Sequence, residues 1–243
     1  MNQEILAIIP ARSGSKGLID KNILPLNSHP LLTYSVGAAL GSELITRVIV
    51  STDSSKYADI AINYGAEVPF LRPDNLADDK ATDLQVFEHC LKQLEVNEGY
   101  SPDFVVQLRP TSPIRPSGLI DECIKKLVDS DFDSLRVVTE SPLSPYKMWR
   151  IGKDEQLTQL LDSEEFFEPY NMPRQKLPKV FWQVGTLDII RSEIIKNMHS
   201  MSGERIMSYI ISPEIAVDID DLRSFKLAEE IIKTKNIKIF EDK

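Results

Sequence analysis

Short apolar runs alternate with stretches of helical spacing through most of this chain. "ILAIIPA" (Ile5–Ala11) is an apolar run closed by a turn, which reads as a strand buried on both faces. In "PLLTYSVGAALG", Leu31, Leu32, Val36, Ala39 and Leu40 have helical spacing, and Gly41 closes the segment. "RVIVST" predicts the next strand and "SSKYADIAINYG" the next helix, with Gly65 as its stop. "EVPFL" is a candidate short strand. Thr82–Glu95 reads as a helix and "FVVQLRP" as a strand. "SGLIDECIKKLVDS" reads as a helix whose Leu119, Ile120, Cys123, Ile124 and Leu127 share one face. "SLRVVTE", "GTLDIIR" and "RIMSYIIS" predict further strands, and a last amphipathic helix follows "DIDD".

Strands alternating with helices of this length predict βαβ units, a mainly parallel sheet and helices on both of its faces. Ligands of such sheets bind beyond the carboxyl ends of the strands, where the turns after Ile9, Thr52 and Leu108 fall. From residue 141 to 185 the alternation breaks. Pro142, Pro145, Pro169, Pro173 and Pro178 interrupt it, and Tyr146, Trp149, Phe166, Phe167, Tyr170, Phe181 and Trp182 crowd it. Two readings stand: an inserted arm that packs on a partner chain, or a loop-rich segment folded back on its own core. The 243 residues suit a single domain, 1–243, with 141–185 inserted.

Composition narrows the function. Against 28 Lys and Arg stand 37 Asp and Glu, a formal net charge of −9, which argues against nucleic-acid or anionic-membrane partners. No apolar run approaches the ~20 residues a membrane span needs, and "MNQEILAII" has no basic leader pattern, so a cytoplasmic protein is expected. Cys90 and Cys123 fall within separate helical patterns and read as buried free thiols. His29, His89 and His199 do not cluster with a nucleophile or an acid, which disfavours covalent hydrolysis.

Positive charge is nonetheless gathered in one place. "ARSGSKG" follows the first strand and brings Arg12 and Lys16 onto a glycine-serine turn, with Lys21 and Asn22 just beyond. Such a turn exposes backbone N–H groups to phosphate oxygens, and three cations would offset a triphosphate. It is neither a Walker A loop nor GxGxxG. At "STD", Asp53 or Ser54 is read as a helix cap. "LRPTSPIR" stiffens a turn with two prolines and offers Thr111 and Ser112 beside Arg109 and Arg115, either as a substrate wall or as caps of the next helix. "LRPDNLADD" sets Arg72 beside a segment that could close over substrate. In "VDIDD", Asp218 and Asp220 alternate with apolar residues, so an extended backbone turns both carboxylates the same way. Two such oxygens suit Mg²⁺ held together with substrate phosphates; the alternative is an acid-decorated helix start, with Asp221 as the cap.

Taken together, these residues resemble the acylneuraminate cytidylyltransferase (CMP-sialic acid synthetase) family. "IIPARSGSKGLIDKN", "VIVSTDSSKYADIAINYGAEVPFLRPDNLADDKATD", "RPTSPIRPSGLIDECI", "PRQKLP" and "VDIDDLRSFKLAEEI" match its blocks in order. The similarity spans nearly the whole chain and is weaker in the arm. The resemblance implies a Rossmann-like three-layer α/β nucleotidyltransferase fold and a homodimer whose exchanged arm completes each site. It implies transfer of CMP from CTP to a nonulosonic, sialic-acid-like 2-keto sugar acid, with Mg²⁺ or Mn²⁺ and release of pyrophosphate.

Carried onto this chain, Arg12, Ser15, Lys16 and Lys21 would hold the triphosphate and Asn22 the nucleoside. Ala11, Ser13, Gly14 and Arg72 complete the expected nucleotide site. Asp218 and Asp220 are the expected metal ligands and, with Arg12 and Lys21, the expected catalytic set. Arg109, Thr111, Ser112 and Gln183 are expected to face the sugar. Sialic-acid members usually carry glutamine where this chain has Arg109, and an RxNG pattern where it reads "WQVG". Both departures lie on the sugar side, so legionaminic or pseudaminic acid fits as well as neuraminic acid. The rival readings are a CMP-Kdo synthetase, a metal-dependent nucleotide-sugar glycosyltransferase of the DxD type, and a non-catalytic nucleotide-binding module.

Overall fold

The apolar run Ile5–Pro10 becomes β1, and its side chains alternate between two cores, Ile5, Ala7 and Ile9 on one face and Leu6 and Ile8 on the other. That alternation dictates a sheet with helices on both sides. A computed structural model describes residues 3–162, 164–235 and 237. After β1, a short ladder of β2 (Pro25–Leu26) and β3 (His29–Pro30) leads into α1 (Leu31–Leu40). There follow β4 (Arg47–Ser51), α2 (Ser55–Asn63), α3 (Asp83–Glu98), β5 (Phe104–Gln107), α4 (Leu119–Val128) and β6 (Ser134–Glu140). The hairpin β7 (Trp149–Ile151)–β8 (Leu157–Gln159) precedes β9 (Phe181–Arg191), α5 (Ser192–Met198), β10 (Ile206–Ile210) and α6 (Leu222–Thr234).

The main sheet has six strands in the order β10-β6-β9-β5-β1-β4. β1 pairs in parallel with β4 and β5, and β10 with β6, while β9 runs antiparallel to both of its neighbours. The fold is therefore Rossmann-like α/β with a mostly parallel sheet. Helices α1, α2 and α4 cover one face and α3 and α5 the other. A third cluster joins Leu26, Leu31 and Tyr34 to Val217, Ile219, Ala228 and Ile232, which brings the start of α6 back to the first loop. Cys90 and Cys123 are buried free thiols in opposite layers.

Helix ends follow the chemistry of the sequence. Ser54 caps α2 by accepting from the Tyr57 N–H, Thr82 and Gln85 form a capping box at α3, and Asp221 caps α6. Three expectations change. "EVPFL" is no strand: only Glu67 makes a bridge, to Ile49, and Pro69 has no N–H to continue a ladder. The short helix α5 lay unread between two predicted strands. The excursion from the sheet is shorter than 141–185, because Phe181, Trp182 and Gln183 already pair with Glu140, Thr139 and Val138. The departing segment is 141–180, in which residue 163 lies outside those described. Between Arg136 and Val138 the β6–β9 register shifts, and the β9 bulge opposite carries Gly185.

Candidate active site

The loops leaving the carboxyl ends of β1 and β5, with the 72–83 segment that Arg72 ties to Ser51 at the end of β4, line a cleft of about 490 Å³. Its wall includes Arg12, Lys16, Lys21, Arg72 and Arg109, five cations against the four carboxylates of Asp78, Asp79, Asp83 and Asp220. In a chain of net charge −9, this is a local excess of positive charge. It suits a polyanion.

The loop after β1 is fastened at several points. Asp53 accepts the Ser13 N–H at 2.8 Å and also the Ser13 hydroxyl, so it anchors the loop rather than capping α2. The Asn22 amide, buried, donates to the Arg12 carbonyl at 3.0 Å. Gly14 adopts φ +69°, where a Cβ would be strained. A Cβ on Gly17 would sit 2.6 Å from the Asp220 carbonyl oxygen, so only glycine lets the loop lie against the acidic segment. Lys21 bridges the same seam, donating to the Ile219 carbonyl at 2.6 Å and lying 3.5 Å from an Asp220 carboxylate oxygen.

The segment 217–221 is extended with Val217 and Ile219 inward, which turns Asp218 and Asp220 outward as the alternation predicts. It is pinned to the Arg109–Arg115 turn, since the Ile219 N–H donates to the Thr111 carbonyl at 2.7 Å and the Ser112 hydroxyl to Asp218 at 3.4 Å. Asp220 lines the cleft beside the phosphate-type loop. Among the described residues no group of three or more His, Cys, Asp or Glu gathers. Asp218 is not in the cleft lining and meets the Ser112 hydroxyl instead, so the structure brings one of the two expected carboxylates, Asp220, to the cleft, a hard oxygen donor of the kind that suits a divalent cation completed by substrate oxygens and water.

Two buried arginines act inside the scaffold. Arg72 spends its donors on the Ser51 carbonyl at 2.6 Å, the Ser51 hydroxyl at 3.1 Å and the Leu76 carbonyl at 3.4 Å, and burial pushes its pKa down. Arg115 donates to the Thr186 carbonyl, the Ser35 hydroxyl and the Arg109 carbonyl at 2.6, 3.1 and 2.8 Å, and burial lowers its pKa to about 9. Arg115 thus holds the turn that presents Arg109.

Sequence reasoning did not find the acids that meet these cations. Asp79 takes Arg12 at 2.6 Å and also Lys16; the Lys16 ammonium and Arg12 guanidinium hold its carboxyl below the usual range. Asp83, at the start of α3, takes Arg109 at 2.6 Å and the Gln107 amide at 3.0 Å. Asp188 on β9 is buried and receives the Gln183 amide at 3.1 Å. "LDII" gave no sign of it beyond an acid inside an apolar run. Ala11, Arg12, Ser13, Gly14, Ser15, Lys16, Lys21, Asn22 and Arg72 all belong to the first loop or its cleft. Thr111 and Arg109 join them there, whereas Gln183 lies farther out, linked to Asp188.

A family model described as cytidylyltransferase matches residues 6–231. The chain belongs to the cytidylyltransferase family. As a member of that family it is a nucleotidyltransferase, which sets aside the DxD glycosyltransferase reading of Asp218–Asp220. Among its relatives, the chain is 35% identical over 97% of its length to an N-acylneuraminate cytidylyltransferase of Escherichia coli, spanning 54% of that protein. It thus covers about half of that longer relative. It is 32% identical to the CMP-N,N'-diacetyllegionaminic acid synthase of Legionella pneumophila, covering 94% of this chain and 96% of the other. A solved CMP:2-keto-3-deoxy-manno-octonic acid synthetase complexed with CTP shares the fold with a TM-score of 0.69 at 14% identity, covering 96% of this chain and 99% of that one. No helix among the described residues is long and apolar enough to cross a membrane.

Proposed function

We propose that this protein transfers CMP from CTP to the anomeric hydroxyl of a nonulosonic 2-keto sugar acid and releases pyrophosphate. The observation that carries this reading is the cleft in which the Arg12–Lys21 loop, the acidic segment at Asp220 and the Arg109 turn face one another. Phosphoryl chemistry of this type demands positioning and charge neutralisation more than covalent participation.

The chain's residues divide that work. Arg12, Ser15, Lys16 and Lys21 bind the triphosphate, whose oxygens replace Asp79 on Arg12 and Lys16. Backbone groups at Ala11, Ser13 and Gly14 shape the loop, Asn22 orients the nucleoside side, and Arg72 holds the neighbouring 72–79 segment. Arg109, Thr111, Ser112 and Gln183 serve the acceptor. Arg12 and Lys21 offset charge that develops on departing pyrophosphate, an effect that a preorganised site makes large. Asp218 and Asp220 are the residues that would hold Mg²⁺ or Mn²⁺, which supplies neutralisation of phosphate charge when bound.

The segment 141–180 exposes Leu143, Ile151 and Phe167, and we assign it to the contact between two copies in a cytoplasmic homodimer. The test is incubation with CTP, Mg²⁺ and a panel of N-acetylneuraminic, diacetyllegionaminic, pseudaminic and 2-keto-3-deoxy-manno-octonic acids, followed by mass spectrometry. Formation of a CMP-nonulosonate with pyrophosphate is expected. Conversion of the octonic acid alone would transfer the reading to the Kdo class, and pyrophosphate without any CMP-sugar would refute it.

A further inference from the structure

Across β5, β9 and β6, three polar side chains stand in one row, because Gln107 pairs with Asp188 and Asp188 with Arg136 in the registers of the sheet. A row across a sheet shares one face, and further along β1 and β5 this face is apolar, with Leu6, Ile8 and Val105 packed under α3. The polar row begins where the α3 cover starts, at Asp83. A charge network fills the place of the core there.

The network is continuous. Arg136 donates to the Gln183 carbonyl oxygen at 2.5 Å, and the Gln183 amide donates to both Asp188 oxygens at 3.3 and 3.1 Å. Asp188 lies 4.0 Å from the Arg109 guanidinium, and Arg109 donates to Asp83 at 2.6 Å. The Nε–H groups of Arg109 and Arg136 are buried without a hydrogen-bond partner among the described residues. Gly185 on the β9 bulge completes the geometry. A Cβ there would stand 3.1 Å from Arg109 Cδ and 2.9 Å from Ser112 Oγ, so its absence lets Arg109 lie along the strand towards Asp188.

Arg109 is at the wall of the cleft, whereas Asp188 is 3% exposed and is not part of that wall. We propose that Asp188, itself tied by the Gln183 amide, is the positioning residue of the acceptor side, holding Arg109 in one orientation so that its guanidinium meets the carboxylate of a 2-keto sugar acid. This deepens the cytidylyl-transfer reading and rests on it. A guanidinium held between two carboxylates keeps one orientation, and a polar group that is already oriented binds an incoming carboxylate with less ordering cost. Among the described residues the Arg12–Lys21 loop shares no hydrogen bond with this network, so disturbing it should leave CTP binding alone.

Burial pushes the Asp188 carboxyl up to about 6, against the pull of Arg109 and Arg136 and with Asp83 adding to the rise. Its charge, and with it the grip on Arg109, is therefore present above that pH and lost below it. The test is steady-state kinetics of wild type and Asp188→Asn with CTP, Mg²⁺ and each acid of the panel, across pH. For the acid that wild type converts, the variant's acceptor KM should rise about tenfold while the CTP KM stays within about twofold. The wild-type acceptor kcat/KM should fall off on the acid side of about pH 6, and the variant should lack that limb. Thermal melting monitors folding of the variant. An Asp188→Glu variant, which keeps the charge, should retain the acid limb.

An unchanged acceptor KM, a parallel rise in the CTP KM, or an acid limb that persists in Asp188→Asn each overturns the proposal while the cytidylyl-transfer reading survives. Absence of transfer by wild type to any acid of the panel overturns both.

Discussion

Arg12 and Lys16 are held by a carboxylate 67 positions from Arg12 along the chain, and this pairing governs what the loop can do. Asp79 is exposed, so its ion pairs are screened and individually weak, but a triphosphate must displace it from both cations. Asp79→Asn is expected to tighten CTP binding about two- to fivefold at low salt, with the gain shrinking as salt rises, measured by calorimetric titration. Lys21 behaves differently, since it is largely buried and ties the loop to Ile219. Lys21→Ala should cost about 10²–10³-fold in kcat while circular dichroism stays native. That Arg12, Lys16, Lys21 and Asp220 share a cleft was foreshadowed in the sequence, because each lies in a short motif whose chemistry is local. The roles of Asp79, Asp83 and Asp188 were not, because each takes its meaning from a partner that only the fold brings near.

The strands and helices that carry the site announce themselves through periodicity, and Gly41, Ser54, Thr82 and Asp221 mark their ends as capping chemistry requires. β9 is the exception. Its first residues, Phe181–Gln183, are aromatic or polar and half exposed, so nothing in their spacing separates them from the proline-rich segment before them. Its bulge places Gly185 against Ser112 and Arg109, a contact between elements that no single stretch encodes. The other close glycine gives a direct test. Gly17→Ala would drive a Cβ to 2.6 Å from the Asp220 carbonyl oxygen, part of a backbone that the Thr111 bond holds in place. The loop must shift, and the expected result is a CTP affinity about tenfold weaker with a melting temperature lowered by only a few degrees, read by titration and by thermal melting.

The molecule as a whole is acidic, and the sheet direction is what concentrates its cations. Parallel β1 and β5 send their loops to one edge, where the 72–83 segment joins them, and that edge gathers five cations that are scattered from residue 12 to residue 109 in sequence. The α/β class, the mainly parallel sheet and the interruption after residue 140 were legible from the alternation and its loss; the strand order, the antiparallel β9 and the return to the sheet at Phe181 were not, because they depend on pairings between distant elements. The most direct measurement is calorimetric titration of CTP in Mg²⁺ into the wild type and into an Arg12→Ala/Lys16→Ala double variant. Saturable binding at one site per chain, abolished or weakened at least about a hundredfold in the double variant, is the predicted result. No uptake of CTP by the wild type, or equal affinity in the two proteins, would contradict the assignment of the loop.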